Sequence, residues 1–117
     1  MDERILKWLF DINSCIQEID GFFKDEEKDF LKYKEKLMLK RAVERNLEII
    51  GEAVNRIVTR DSSFANRISN AKSIIGLRNQ VIHAYDSISD ENIWSILINH
   101  LPKLKTEVED LIKDSKR

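Results

Sequence analysis

A chain of 117 residues is long enough to bury its own core without disulfide or metal staples, and its length points to one domain, 1–117. With only three glycines and one proline beside 42% hydrophobic and 35% charged residues, it leaves little room for hairpins and favours long helices. Twenty basic side chains against 21 acidic ones exclude broad electrostatic capture of nucleic acid, so any RNA contact has to be local.

The first element spans 2–23, where Ile5, Leu6, Leu9, Ile12, Ile16 and Ile19 recur at helical steps and make one apolar stripe. The opening "MDERILKWLF" is charged from its second residue and does not read as a signal peptide. Gly21 and the acidic run at 24–29 mark a turn, read as a solvated loop or short helix. From about 35 to 59, Leu39, Val43, Leu47, Ile50, Val54 and Ile57 step by four and three, the rhythm of a bundle seam, widened by Ala42, Ile49 and Ala53. Gly51 interrupts this helix at a cost of roughly 1 kcal/mol against alanine, which a close approach by another helix would explain.

The polar stretch 59–71 breaks the pattern and offers Asp61, Ser62 and Ser69 as caps. A third helix follows from about 70 toward 83. Ser87 or Ser89 then starts the last one, with Asp90 and Glu91 in its first turn. That helix, about 90–114, contains Pro102. Because the apolar rhythm resumes at Leu104, Val108 and Leu111–Ile112, a kink is expected rather than a stop. The pattern is all-α: an antiparallel up-and-down bundle of four main helices, with room for short extra ones. Cys15 is the one cysteine, which fits a reducing cytoplasm, and no apolar run approaches the roughly 20 residues that span a bilayer.

One stretch, "GLRNQVIHAYD" at 76–86, concentrates functional chemistry. With Arg78 at zero on a helical wheel of about 100° per residue, Tyr85 falls near about −20° and His83 near about 140°. Either the helix loosens around His83 or a second copy of the chain completes the group. RNA carries its own nucleophile in the 2′-hydroxyl, so cleavage needs proton transfer and fixed positive charge rather than a metal-activated water. Histidine titrates near neutrality and suits the first task. Arginine, a planar fork of donors, suits the second. Asn79 is placed to orient a phosphate or the imidazole, and Tyr85 to donate a hydrogen bond or stack on a base. The same residues also fit a helix end whose side chains cap carbonyls and pair with Asp86 or Asp90.

The spacing Arg78, Asn79, three residues, His83, one residue, Tyr85 resembles the hallmark of the HepT-like branch of the HEPN superfamily. "AVERNLEIIGEAVNRI" at 42–57, "IIGLRN" and "ENIWSILINHLPKL" are similar to family segments in the same order, covering roughly 35–112. A tryptophan often found a few residues before "IIGLRN" in relatives is replaced here, at Ala71 or nearby, which puts the local packing or dimer contact in question. The resemblance implies an HEPN-like bundle and a homodimer whose two motifs face one cleft. It also implies a metal-independent, cofactor-free endoribonuclease that leaves a cyclic phosphate. Arg78 and His83 would be catalytic and Asn79 supporting. The implied biology is a toxin of a type VII-like toxin–antitoxin pair. Its partner would be a minimal nucleotidyltransferase antitoxin that transfers AMP onto Tyr85.

Two alternatives stand beside this reading: a non-catalytic subunit that binds nucleotide or substrate for a nucleotidyltransferase, and a structural dimer whose polar cluster tightens the interface. Elsewhere, His100 lacks the spacing of a zinc site, and Asp86, Asp90 and Glu91 read as helix-start residues rather than magnesium ligands. Trp8 and Trp94 read as packing residues. The basic stretch Lys32, Lys34, Lys36, Lys40 and Arg41 reads as a solvated face. Glu48 and Glu52 are expected to pair with Arg45 or Arg56 along their own helix.

Overall fold

Asp2 starts the first helix by accepting hydrogen bonds from the backbone N–H groups of Arg4 (2.8 Å) and Ile5 (3.2 Å). In the computed structural model, which describes residues 1–24, 27–83 and 89–116 with the side chains of Ile82 and His83 left out, this helix is α1, Glu3–Phe22. The other Asp2 oxygen accepts from Arg60 Nε at 2.8 Å, fastening the start of α1 to the end of the long helix that follows. The Arg60 hydrogen bond, with help from the cap N–H groups, holds the Asp2 carboxyl below its ordinary range.

A six-residue helix, α2 (Phe30–Glu35), comes next; Asp29 caps it by accepting from Leu31 N at 2.9 Å. It exists because Tyr33 has somewhere to go. The ring is buried and stacks near Trp94 at 5.2 Å between centroids, with Phe30 and Phe23 completing the cluster at 5.8 and 6.2 Å from Trp94. Sequence periodicity missed α2, since six residues show too little of a 3.6-residue repeat to register.

Helix α3 (Leu37–Arg60) carries the bundle seam. Val43, Leu47, Ile50, Val54 and Ile57 are all buried, and only Leu39 of the expected stripe stays at the margin. Asp61 ends α3 and caps a 3₁₀ turn, Ser62–Asn66, through the Ser63 N–H (3.0 Å) and hydroxyl (2.7 Å). Helix α4 (Ala71–His83) begins with Ala71 buried. The Ser69 N–H, just before this helix, donates to Glu107 at 3.0 Å.

Ser89 caps α5 (Asp90–Ser95), accepting from Asn92 N at 3.1 Å, while Ser87 lies outside the described residues. The helical path continues through a π turn at Ile96–His100 into α6 (Leu101–Ser115). Pro102 explains the π turn. It has no N–H to give to Ile98, and the Leu101 N–H reaches back five residues to Ile96 instead. The expected kink is thus a local widening of the helix.

The four long helical segments pack in the order α4, α3, α1, α6, with α3 lying between α1 and α4. The core runs down that contact, from Ile5, Leu9, Ile12, Ile16 and Ile19 on α1 to Leu101, Leu104, Val108 and Leu111 on α6. All the described elements are helical, as the composition and rhythm require. The molecule measures 44 × 32 × 19 Å, a slab about two helix diameters thick. No described helix is long and apolar enough to cross a membrane.

Candidate functional site

The site begins with a glycine. Gly51 is buried on α3 where α4 crosses it, and a methyl group there would collide with Arg78 Cβ and stand 3.0 Å from the Ile74 carbonyl oxygen. The missing side chain lets the two helices close on each other, as its position inside the helix suggested. The beginning of the Arg78 side chain occupies the space so freed.

Arg78 is then held at its far end. Its Nη1 donates to Asn79 Oδ1 at 2.8 Å, and its Nη2 is ion-paired with Glu52 Oε2. The second Glu52 oxygen accepts from Arg56 Nε at 3.0 Å, so one carboxylate joins two guanidinium groups. Arg78 is 24% exposed and Glu52 33%, which shields the pair partly from water and strengthens it relative to a surface pair. The Nε of Arg78 is buried with no hydrogen-bond partner among the described residues.

These groups line an open cleft of about 340 Å³ between α1, α3 and α4. Trp8 and Asp11 come from α1; Arg45, Glu48, Ile49, Glu52, Ala53 and Arg56 from α3; Arg78 from α4. Three guanidiniums face three carboxylates there. Arg45 pairs with Glu48 at 3.1 Å, while Asp11 pairs with Lys7 at 2.8 Å. Trp8 is half-buried at the wall, packed against the core yet reaching the opening.

Arg78 therefore lines the cleft, and Asn79 accepts a hydrogen bond from its Nη1. Helix α4 extends through His83 as its last residue, so the positions of Arg78 and His83 share one helix. The imidazole of His83, together with Tyr85 and Asp86, lies outside the described residues. Asp90 pairs with Lys40 at 3.2 Å rather than with Arg78, and Glu91 accepts from the Ser89 hydroxyl at 3.0 Å. No cluster of three His, Cys, Asp or Glu side chains among the described residues is placed to hold a metal ion. Much of the basic stretch is tied down, Arg41 to Glu44 at 2.8 Å and Lys34 to Glu91 at 4.0 Å, as a solvated face would be.

The sequence paired Glu52 with Arg56 and missed its bond to Arg78. The available signal was Gly51: a close-approach glycine brings the residues beside it to the neighbouring helix, and Glu52 is the next residue.

A family model described as Ribonuclease HepT-like matches residues 12–111. "Putative RNase MJ0127" of Methanocaldococcus jannaschii is 38% identical over 110 residues, covering 92% of this chain and 86% of that protein. A second protein of the same organism, "Putative RNase MJ1380", is 38% identical over 113 residues, covering 93% of this chain and 98% of its own. "Putative RNase TTE0752" of Caldanaerobacter subterraneus is 33% identical over 81 residues, 68% of this chain and 70% of that protein. No solved structure matches the chain. A helical bundle with Arg78 fixed on a cleft, and a match across most of its length, place this chain in the HepT-like ribonuclease family.

Proposed function

We propose that the chain is a metal-independent endoribonuclease in which Arg78 and His83 are the catalytic residues. The 2′-hydroxyl of RNA attacks the adjacent phosphorus, the bond to the 5′-oxygen breaks, and a 2′,3′-cyclic phosphate and a free 5′-hydroxyl result. His83 serves the proton transfers of this step, since an imidazole exchanges protons near neutral pH. Arg78 stabilises the charge that builds on the phosphoryl oxygens, and Asn79 supports it. One observation carries the reading: the motif arginine is anchored on an open cleft by Glu52 and Asn79 rather than spent on capping a helix end. The relatives named as RNases support it.

Because α4 stays helical through His83, a second copy of the chain is the favoured route to a complete site, and the active species is a homodimer. The biological setting that fits is the toxin half of a toxin–antitoxin pair in the cytoplasm. A minimal nucleotidyltransferase antitoxin would transfer AMP onto Tyr85. That modification adds bulk and negative charge beside the phosphate site, and both oppose RNA binding.

The test is expression of the chain alone and with a nucleotidyltransferase, followed by assay of the purified protein on single-stranded RNA with and without a chelator. Arg78→Ala and His83→Ala are each expected to lower cleavage about 100-fold or more, with chelator having no effect. Cleavage that survives both substitutions overturns the assignment. The second reading, a nucleotide-binding subunit without nuclease activity, draws on the balanced charge of the cleft. Nucleotide retention without any RNA cleavage would select it.

A further inference from the structure

Among the described residues, Arg78 meets Gly51 beneath its first carbon, Asn79 at one terminal nitrogen and Glu52 at the other. Glu52 does more than neutralise it, because the same carboxylate also holds Arg56 Nε at 3.0 Å. Two guanidiniums left to themselves repel. With one carboxylate between them they sit side by side on one wall of the cleft, and the trio keeps a net charge of +1. That matches the single negative charge of a phosphodiester. Each guanidinium still has N–H donors that Glu52 does not use, because a guanidinium carries five and each bond named here takes one.

We propose that Glu52 is a positioning residue for RNA cleavage: it fixes Arg78 and Arg56 as a paired clamp for one backbone phosphate. The inference rests on the ribonuclease reading above. The carboxylate itself does not touch the phosphate; it acts through the two arginines. Arg78 is then set toward the reacting phosphoryl oxygens before RNA arrives, and Arg56, more exposed at 56%, contributes to holding the strand.

The alternative roles of a buried-edge carboxylate give different kinetics, which makes the proposal testable on the full chain. Cleavage of a short single-stranded RNA is measured for wild type, Glu52→Gln, Glu52→Ala and Arg56→Ala, with the folded fraction of each fixed by thermal melting. A positioning role predicts that kcat per folded molecule falls about 10- to 100-fold in the Glu52 variants, more in alanine than in glutamine. KM stays level or drops there, because a positive charge has been uncovered. Arg56→Ala is expected to raise KM with a smaller change in kcat. If kcat/KM rises in Glu52→Gln, the carboxylate masks Arg78 and the proposal is overturned. If the variants only melt earlier and cleave normally once folded, Glu52 is structural and the proposal is likewise overturned.

A measurement without RNA separates this idea from the nuclease assignment. The Arg78 Nε is buried, so its N–H should exchange slowly with water and give a sharp NMR signal. In Glu52→Ala that signal is expected to exchange faster and broaden; an unchanged signal means that Glu52 does not fix the side chain. Wild-type protein that cleaves no RNA, combined with loss of the sharp signal in Glu52→Ala, would reject the ribonuclease reading while leaving the arginine clamp in place.

Discussion

Between Gly51 and Arg78 there is no room for one more carbon, and this sets up the sharpest test at the scale of single residues. Gly51→Ala improves helix propensity by about 1 kcal/mol but overpacks a helix crossing, which typically costs about 1–3 kcal/mol. The colliding atom is Arg78 Cβ, next to the backbone, so it has little freedom to swing away. We expect urea unfolding to show a net loss of about 1 kcal/mol for Gly51→Ala, together with reduced RNA cleavage as Arg78 shifts. A second residue-scale effect appears at high pH. Burial pushes the Cys15 thiol from 9.0 up to about 11 and raises Tyr33 as well. Both groups prefer to stay protonated in the folded chain. Stability should therefore be level below about pH 9 and fall as pH rises toward 11, where the unfolded thiol ionises first. Alkaline melts of wild type and Cys15→Ala check this, the variant losing less between those values. Arg78, Asn79 and the Glu52–Arg56 pair could all be read from local spacing. The Glu52–Arg78 bond could not, because it depends on how two helices cross, and spacing along one helix carries no record of that.

At the scale of elements, the long helices announced themselves through apolar steps of three and four. The structure places α1, α3 and α4 within two residues of the expected limits. What escaped was short or irregular: α2, which is held by the Tyr33–Trp94 contact, and the π turn, which follows from a missing N–H at Pro102. Neither leaves a periodic trace. The start of α5 is the best place to test a cap, since Ser89 accepts from Asn92 N and the Lys40–Asp90 pair anchors the same turn. Ser89→Ala should cost about 1 kcal/mol in chemical denaturation, with cleavage per folded molecule unchanged. A larger loss would mean that the serine also supports the residues before it.

For the whole molecule, near-neutral charge makes a definite statement about how RNA is held. A protein that captured RNA with a broad basic face would lose affinity steeply with salt. Here each arginine clamp is expected to neutralise one phosphate, so the logarithm of affinity should fall with log salt at a slope of about −0.7 per clamp on single strands. Binding of a non-cleavable RNA between low and moderate salt measures it, and a slope several times steeper would point to contacts spread over the basic stretch. Composition alone foretold the all-helical class, because it follows from totals rather than from arrangement. The thickness of the slab, 19 Å, did not follow from totals. A body so thin spends a large share of its residues at the surface, and a second molecule laid against it would add another layer. If the homodimer forms in this way, folding and association become one equilibrium, and the melting temperature should climb as the protein is concentrated.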